Sequence, residues 1–228
     1  MAMTGRVWVW KTIYRGWQAA LLLLTTNCGG NAVLPANSVV IEKLTTAEQV
    51  HAIHFVAPSL GYVDPQTATP ILWQSPEYPD FIHKIGLENP SENVKSSFLT
   101  LWKGRFPSLT ISNNPEPFPY RDLHDLKTRY SPNLLFEFYT DRWQFGGSFT
   151  ERPFLHLQFE AHTWLTDSVT GKILWRGHCF TSKDLADEHS GKRLTLEDLK
   201  ALDWKPLKSA WKDAANTCAH DMVSQFSS

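Results

Sequence analysis

The 228 residues are enough for one domain with a full core, and a formal charge of −1 with no run of Lys and Arg excludes a nucleic-acid binder, because phosphate neutralisation needs clustered cations. Ten Trp, thirteen Phe and six Tyr are many for this length and supply both core and interface anchors. No internal repeat or low-complexity tract is visible.

At the N-terminus, Arg6, Lys11 and Arg15 precede the apolar run Ala19-Ala20-Leu21-Leu22-Leu23-Leu24, with no acid before Cys28. A basic leader ahead of an apolar run too short to span a bilayer is the pattern of a secretory signal peptide, so export is expected. Without its three cations the remainder carries −4. Cys28, followed by Gly29-Gly30-Asn31, resembles the lipobox cysteine of bacterial lipoproteins, although Thr25-Thr26-Asn27 stand where that pattern has Leu and a small residue. The resemblance implies that Cys28 is acylated and becomes the first mature residue, and two acyl chains suffice for stable anchoring. Cleavage without acylation and an uncleaved tether are the alternatives, and either leaves Cys28 as an odd thiol. Residues 1–28 are read as the signal and lipidation segment, and residues 29–90 as a proline-rich N-terminal segment.

Within that segment Val50 to Val56 has the composition of a short strand, but Pro58, Pro65, Pro70, Pro76, Pro79 and Pro90 indicate ordered loop beyond it. From Ser91 the pattern sharpens. Val94, Phe98, Leu101 and Trp102 recur at helical spacing, with Ser91 as the N-cap of a helix from Glu92 to Arg105. A short strand from Ser108 to Ser112 comes next, then a loop over Asn113 to Pro119, then a helix marked by Leu123, Leu126 and Tyr130 that ends before Pro132.

The sheet is most legible downstream. Leu134, Phe136 and Phe138 alternate with Leu135, Glu137 and Tyr139, and Gly146-Gly147 breaks that run. Between Phe154 and Thr166 the residues Leu155, Leu157, Phe159, Ala161, Thr163 and Leu165 share an apolar face, against His156, Gln158, Glu160, His162 and Trp164. Asp167 to Gly171 is a turn in which Gly171 takes a positive φ, and Lys172 to Phe180 returns as the hairpin partner. With Thr166 facing Lys172, Leu165 pairs with Ile173, Thr163 with Trp175 and Phe159 with Cys179. Thr195-Leu196-Glu197-Asp198 resembles a capping box, and a closing helix runs from near Pro206 to Phe226 with Leu207, Ala210, Trp211, Ala214, Cys218 and Met222 on its buried stripe.

Cys179 and Cys218 both fall on core-facing positions, which in an exported protein predicts a disulfide sewing the closing helix onto the sheet. Neither has a second cysteine at metal-ligand spacing, so zinc at these thiols is disfavoured. No G-x-S-x-G, HExxH, phosphate loop or dinucleotide fingerprint is present, and no catalytic residue or cofactor is assigned. One grouping emerges from the expected register: Glu160 faces His178 and His162 faces Arg176, on one outer face. The permanent charge of Arg176 beside His162 argues against a metal there, so the face reads as solvated or partner-facing.

Leu165 to Trp175 reads L-T-D-S-V-T-G-K-I-L-W, preceded by a helix ending Lys127-Thr128-Arg129-Tyr130 and a strand beginning Asn133-Leu134-Leu135. From about Ser91 to Phe226 this order resembles small bacterial envelope lipoproteins related to the curli-secretion lipoprotein, the exopolysaccharide-secretion lipoprotein and the outer-membrane activators of peptidoglycan synthases. The resemblance implies an α/β (α+β) sandwich over residues 91–228: a mainly antiparallel sheet with helices packed on one face and a closing C-terminal helix. It also implies a non-enzymatic, periplasmic, lipid-anchored module at the outer membrane that binds other envelope proteins or self-associates. The rival reading is a periplasmic hydrolase or metal-binding protein using Glu160, His162 and His178.

Overall fold

The computed structural model describes residues 33, 36–63, 70–72, 85–87, 89–147 and 153–227; Cys28 and the rest of the leader lie outside the described residues. The elements are, in order, α1 (Ser38–Thr46), β1 (Val50–Phe55), β2 (Gly61–Val63), β3 (Pro70–Leu72), α2 (Pro90–Arg105), β4 (Ile111–Phe118), α3 (Leu123–Tyr130), β5 (Leu134–Gly147), β6 (Leu155–Asp167), β7 (Ile173–Asp184), α4 (Leu196–Ala201) and α5 (Lys205–Phe226). They form a mixed α/β structure around one seven-stranded sheet, with most paired residues in antiparallel ladders.

The long strand β5 is the spine. One of its edges takes β6, and β7 follows as the outer strand of the hairpin. The other edge takes two short strands end to end, β1 along Leu134 to Phe138 and β2 along Gln144 to Gly146, both parallel to it. Strand β1 lies between β5 and β4, so the expected fold boundary at residue 91 does not divide the sheet; the compact unit begins at Val33. The reason is local. No proline falls between residues 50 and 57, and the chain is free to pair there before the prolines begin.

Two further boundaries differ from the sequence reading. The N-cap of α2 is Asn89, whose side chain accepts from the Ser91 amide, with Pro90 in the first turn where its fixed φ suits a helix start. Ser91 is instead buried, its hydroxyl 2.9 Å from that of Thr140. The expected loop over Asn113 to Pro119 is mostly strand β4, while Ser108 precedes it in a turn. Pro115 and Pro117 are tolerated because β4 is an edge strand that, among the described residues, pairs only with β1, across a register irregularity between Ala52 and His54.

The core face takes the even residues of β1, the first even residues of β5 and the odd residues of β6 and β7, covered by α1, α2 and α5. Trp102, Phe136, Trp175 and Phe226 meet there edge to face, with Trp175 and Phe226 rings 5.1 Å apart. Trp175 lies over Gly177, where an added Cβ would sit 2.6 Å from the indole ring. The bond between Cys179 and Cys218 ties β7 to α5 across a Cα separation of 5.2 Å. The capping box of α4 forms with Thr195 and Asp198, and α5 buries the expected stripe. On the opposite face a smaller cluster of Ile53, Phe55, Phe118 and Leu135 packs under Leu126 of α3.

The hairpin register differs from the expected one by two residues: Leu165 faces Trp175, Thr163 faces Gly177 and Ala161 faces Cys179. Asp167 to Lys172 closes the turn, Gly171 has φ +71°, and an irregularity at Leu165/Thr166 absorbs the odd residue. A shift of two preserves which side chains are buried, so the core assignment survives while every cross-strand neighbour changes.

Candidate functional site

The face of β5, β6 and β7 turned away from α2 and α5 carries the chemistry-bearing residues. Its construction starts at Glu137 of β5, a fully buried carboxylate. Arg121, from the loop before α3, clamps it through Nε at 2.7 Å and Nη2 at 3.1 Å, and the Tyr139 hydroxyl donates to it at 2.6 Å. Burial, reinforced by the adjacent carboxylate, pushes the Tyr139 phenol up, so it remains a donor. Three acceptor contacts satisfy the charge that burial would otherwise penalise.

From this clamp an aromatic ladder runs across the strands. The ring of Tyr139 stacks on His162 at 4.5 Å, and His162 stacks on Trp164 at 4.8 Å. Two guanidinium groups lie over Trp164, Arg121 at 5.2 Å and Arg176 at 5.7 Å. Arg176 is exposed, and Phe180 farther along β7 is 50 % exposed. No helix among the described residues covers this part of the sheet.

Beyond the ladder, His178 Nε2 lies 3.0 Å from Glu160 Oε1, and His162 Nδ1 lies 2.6 Å from Asp141 Oδ2. Glu160 faces Phe180 and His162 faces His178, whereas Arg176 faces Trp164. The expected Glu160–His178 proximity is therefore present, as a diagonal contact. The expected placement of Arg176 beside His162 is corrected, and with it falls the repulsion argued against a cation on this face. Sequence alternation did not reveal Asp141, because its position depends on an extra residue in β5 between Thr140 and Arg142. The edge strand is also anchored at this point. Gln225 of α5 accepts from the His178 amide at 3.0 Å and donates to its carbonyl at 2.7 Å, satisfying backbone groups that β7 leaves unpaired.

Two other polar features are distinct from this face. Lys95 of α2 is 1 % exposed and donates to His54 Nδ1 at 2.9 Å and to the Asn114 carbonyl. Burial first, and Lys95 second, lower the His54 pKa to about 4, while burial also lowers that of Lys95. A groove of 740 Å³ runs between β4 and α3, where Arg129 lies over Phe118 and pairs with Asp125 at 2.8 Å.

No family model matches the sequence, and no curated protein matches it. Among solved structures the chain is similar to the PelC dodecamer from Paraburkholderia phytofirmans, at 9 % identity over 78 % of this chain and 88 % of that one, with a TM-score of 0.36. It is also similar to protein XCC0632 from Xanthomonas campestris, at 8 % identity over 83 % and 88 % of the two chains and a TM-score of 0.42. A third similar structure is lipoprotein GNA1162 from Neisseria meningitidis, at 13 % identity over 73 % and 99 % and a TM-score of 0.28. Likeness at these scores carries no inference about what this chain does.

Proposed function

We propose that this protein is a non-enzymatic, lipid-anchored module of the bacterial cell envelope that binds or assembles with other envelope proteins through the outer face of β5, β6 and β7. The observation that carries the reading is Trp164, with the guanidinium groups of both Arg121 and Arg176 over its ring, on a face that no helix among the described residues covers. Trp, Tyr and Arg are the side chains that dominate binding energy at protein interfaces, and here Tyr139, Trp164 and Arg176 stand on a rigid sheet with Phe180 exposed beside them. Ion pairs and stacks already engage the titratable groups of the face, an arrangement suited to recognition rather than to proton transfer.

Anchoring rests on Cys28 after its leucine run, and no helix among the described residues is long and apolar enough to cross a membrane. The proposed address is the periplasmic side of the outer membrane. Intact mass of protein extracted from membranes tests the anchor: a chain beginning at acylated Cys28 is expected, and another start contradicts it. Sedimentation of the detergent-solubilised protein tests assembly. Wild type should run as a homo-oligomer or with an envelope protein in fixed ratio, and an Arg176→Glu, Phe180→Asp variant should run alone with an unchanged melting midpoint. A wild type that runs as a bare monomer, or a variant that assembles equally well, contradicts the proposal.

A further inference from the structure

Strand β5 carries one residue more than β6 between Thr140 and Arg142, and this irregularity leaves two successive side chains, Asp141 and Arg142, exposed beside Glu160. Such bulges re-aim a side chain, and here the re-aimed carboxylate arrives among two imidazoles and a second carboxylate. We propose that Asp141, Glu160 and His178 form a binding site for a divalent transition-metal ion of the zinc class, with His162 supporting Asp141 from behind.

The ligand atoms of Asp141, Glu160 and His178 lie within 4.8 Å of one another. Bonds of about 2.1 Å to a tetrahedral ion place ligand atoms roughly 3.4 Å apart, so the widest spacing has to close by about 1.4 Å. The two carboxylates are partly exposed, at 31 % for Asp141 and 21 % for Glu160, and rotation about their side-chain bonds covers that distance. An imidazole among the ligands favours zinc, copper or nickel over magnesium or calcium, which prefer oxygen alone. Three protein ligands leave a coordination position toward solvent.

The surroundings resemble the support that metal ligands need. His162, stacked between Tyr139 and Trp164, donates from Nδ1 to Asp141 Oδ2, an outer contact of the kind that supports a ligating carboxylate. Gln225 grips both backbone groups of His178, so the imidazole projects from a pinned strand. Arg142 opposes the ion: its Nε lies 3.9 Å from Glu160 Oε2, but its side chain is half exposed and free to turn to solvent when a cation enters.

Calorimetric titration of the full chain carrying Cys28→Ser, stripped by chelator and then given zinc, copper or nickel chloride separately, tests the site; the substitution gives a protein without acyl chains and without a thiol at residue 28 to compete for the ion. One ion per chain should bind with micromolar Kd. His178→Ala should weaken binding at least tenfold, as should the near-isosteric Glu160→Gln, which keeps the packing. His162→Phe, which retains the stack, should weaken it about tenfold, and Arg142→Ala should tighten it. Absence of binding overturns the proposal. So does binding of equal strength in His178→Ala and Glu160→Gln, because the ions would then sit on histidines elsewhere.

Discussion

The buried pair of Lys95 and His54 should make the fold acid-sensitive in a defined pH window. His54 is fully buried, its Nδ1 accepts from Lys95, and its Nε2 has no hydrogen-bond partner among the described residues, the nearest carboxylate oxygen being Glu92 Oε2 at 3.9 Å. Protonating Nδ1 would destroy that bond and place two cations together. The folded-state pKa of about 4, against 6.5 for an exposed histidine, means that the unfolded chain binds the proton more tightly. Stability is thus unaffected above about pH 6.5, falls as pH drops below it, and levels off below about 4. A gap of about 2.5 pKa units corresponds to a total loss of about 3 kcal/mol at 1.36 kcal/mol per unit, of which roughly 1.4 should have accrued by pH 5.5 and 2.5 by pH 4.5. The substitution that isolates the effect is His54→Asn, whose side-chain oxygen can still accept from Lys95 but does not titrate. Urea unfolding of both proteins at pH 7.5, 6.5, 5.5 and 4.5 should give wild-type and variant curves that converge by these amounts as pH falls, with unchanged m-values. Parallel curves would refute the reasoning.

Three further outcomes are expected from the packing. Trp175→Ala should cost about 3 to 5 kcal/mol by urea unfolding, because the indole is fully buried against Phe136 and Phe226; an unchanged midpoint would contradict the register. Replacing Cys179 and Cys218 together by Ser should cost on the order of 4 kcal/mol, since they close a loop with a sequence separation of 39, and a reductant should then leave the variant's melting midpoint unmoved. Glu137→Ala should destabilise by about 3 to 5 kcal/mol by stripping Arg121 and Tyr139 of their shared partner, whereas Glu137→Gln, which keeps the shape and one acceptor oxygen, should lose less; equal losses would show that only the charge matters.

The sequence declared its fold where local and global signals agree. From Leu155 to Leu165 the strict alternation marks both faces of β6, and the stripe from Leu207 to Met222 marks the buried side of α5. The paired thiols followed from those two patterns. Strand β4 escaped because Pro115 and Pro117 read as loop, and only its edge position in the assembled sheet makes them harmless. Lys95 escaped as well: its neighbours in α2 imply an amphipathic helix, but its burial depends on His54 and Asn114, which belong to separate strands. At the candidate site parity was right and neighbours were wrong. A two-residue offset keeps Glu160, His162 and His178 on the outer face, yet it replaces Arg176 by His178 opposite His162 and so takes a permanent cation from that position. Asp141 was invisible because a one-residue bulge leaves no mark in alternation.

The central claim is that the outer sheet face, not the helical one, meets the partner. In living cells, a photo-crosslinking amino acid at Phe180, 50 % exposed on β7, should form adducts of defined mass with envelope proteins or a second copy of this chain. The same residue at Lys212, exposed on α5, should form none. Adducts at Lys212 and their absence at Phe180 would contradict the account.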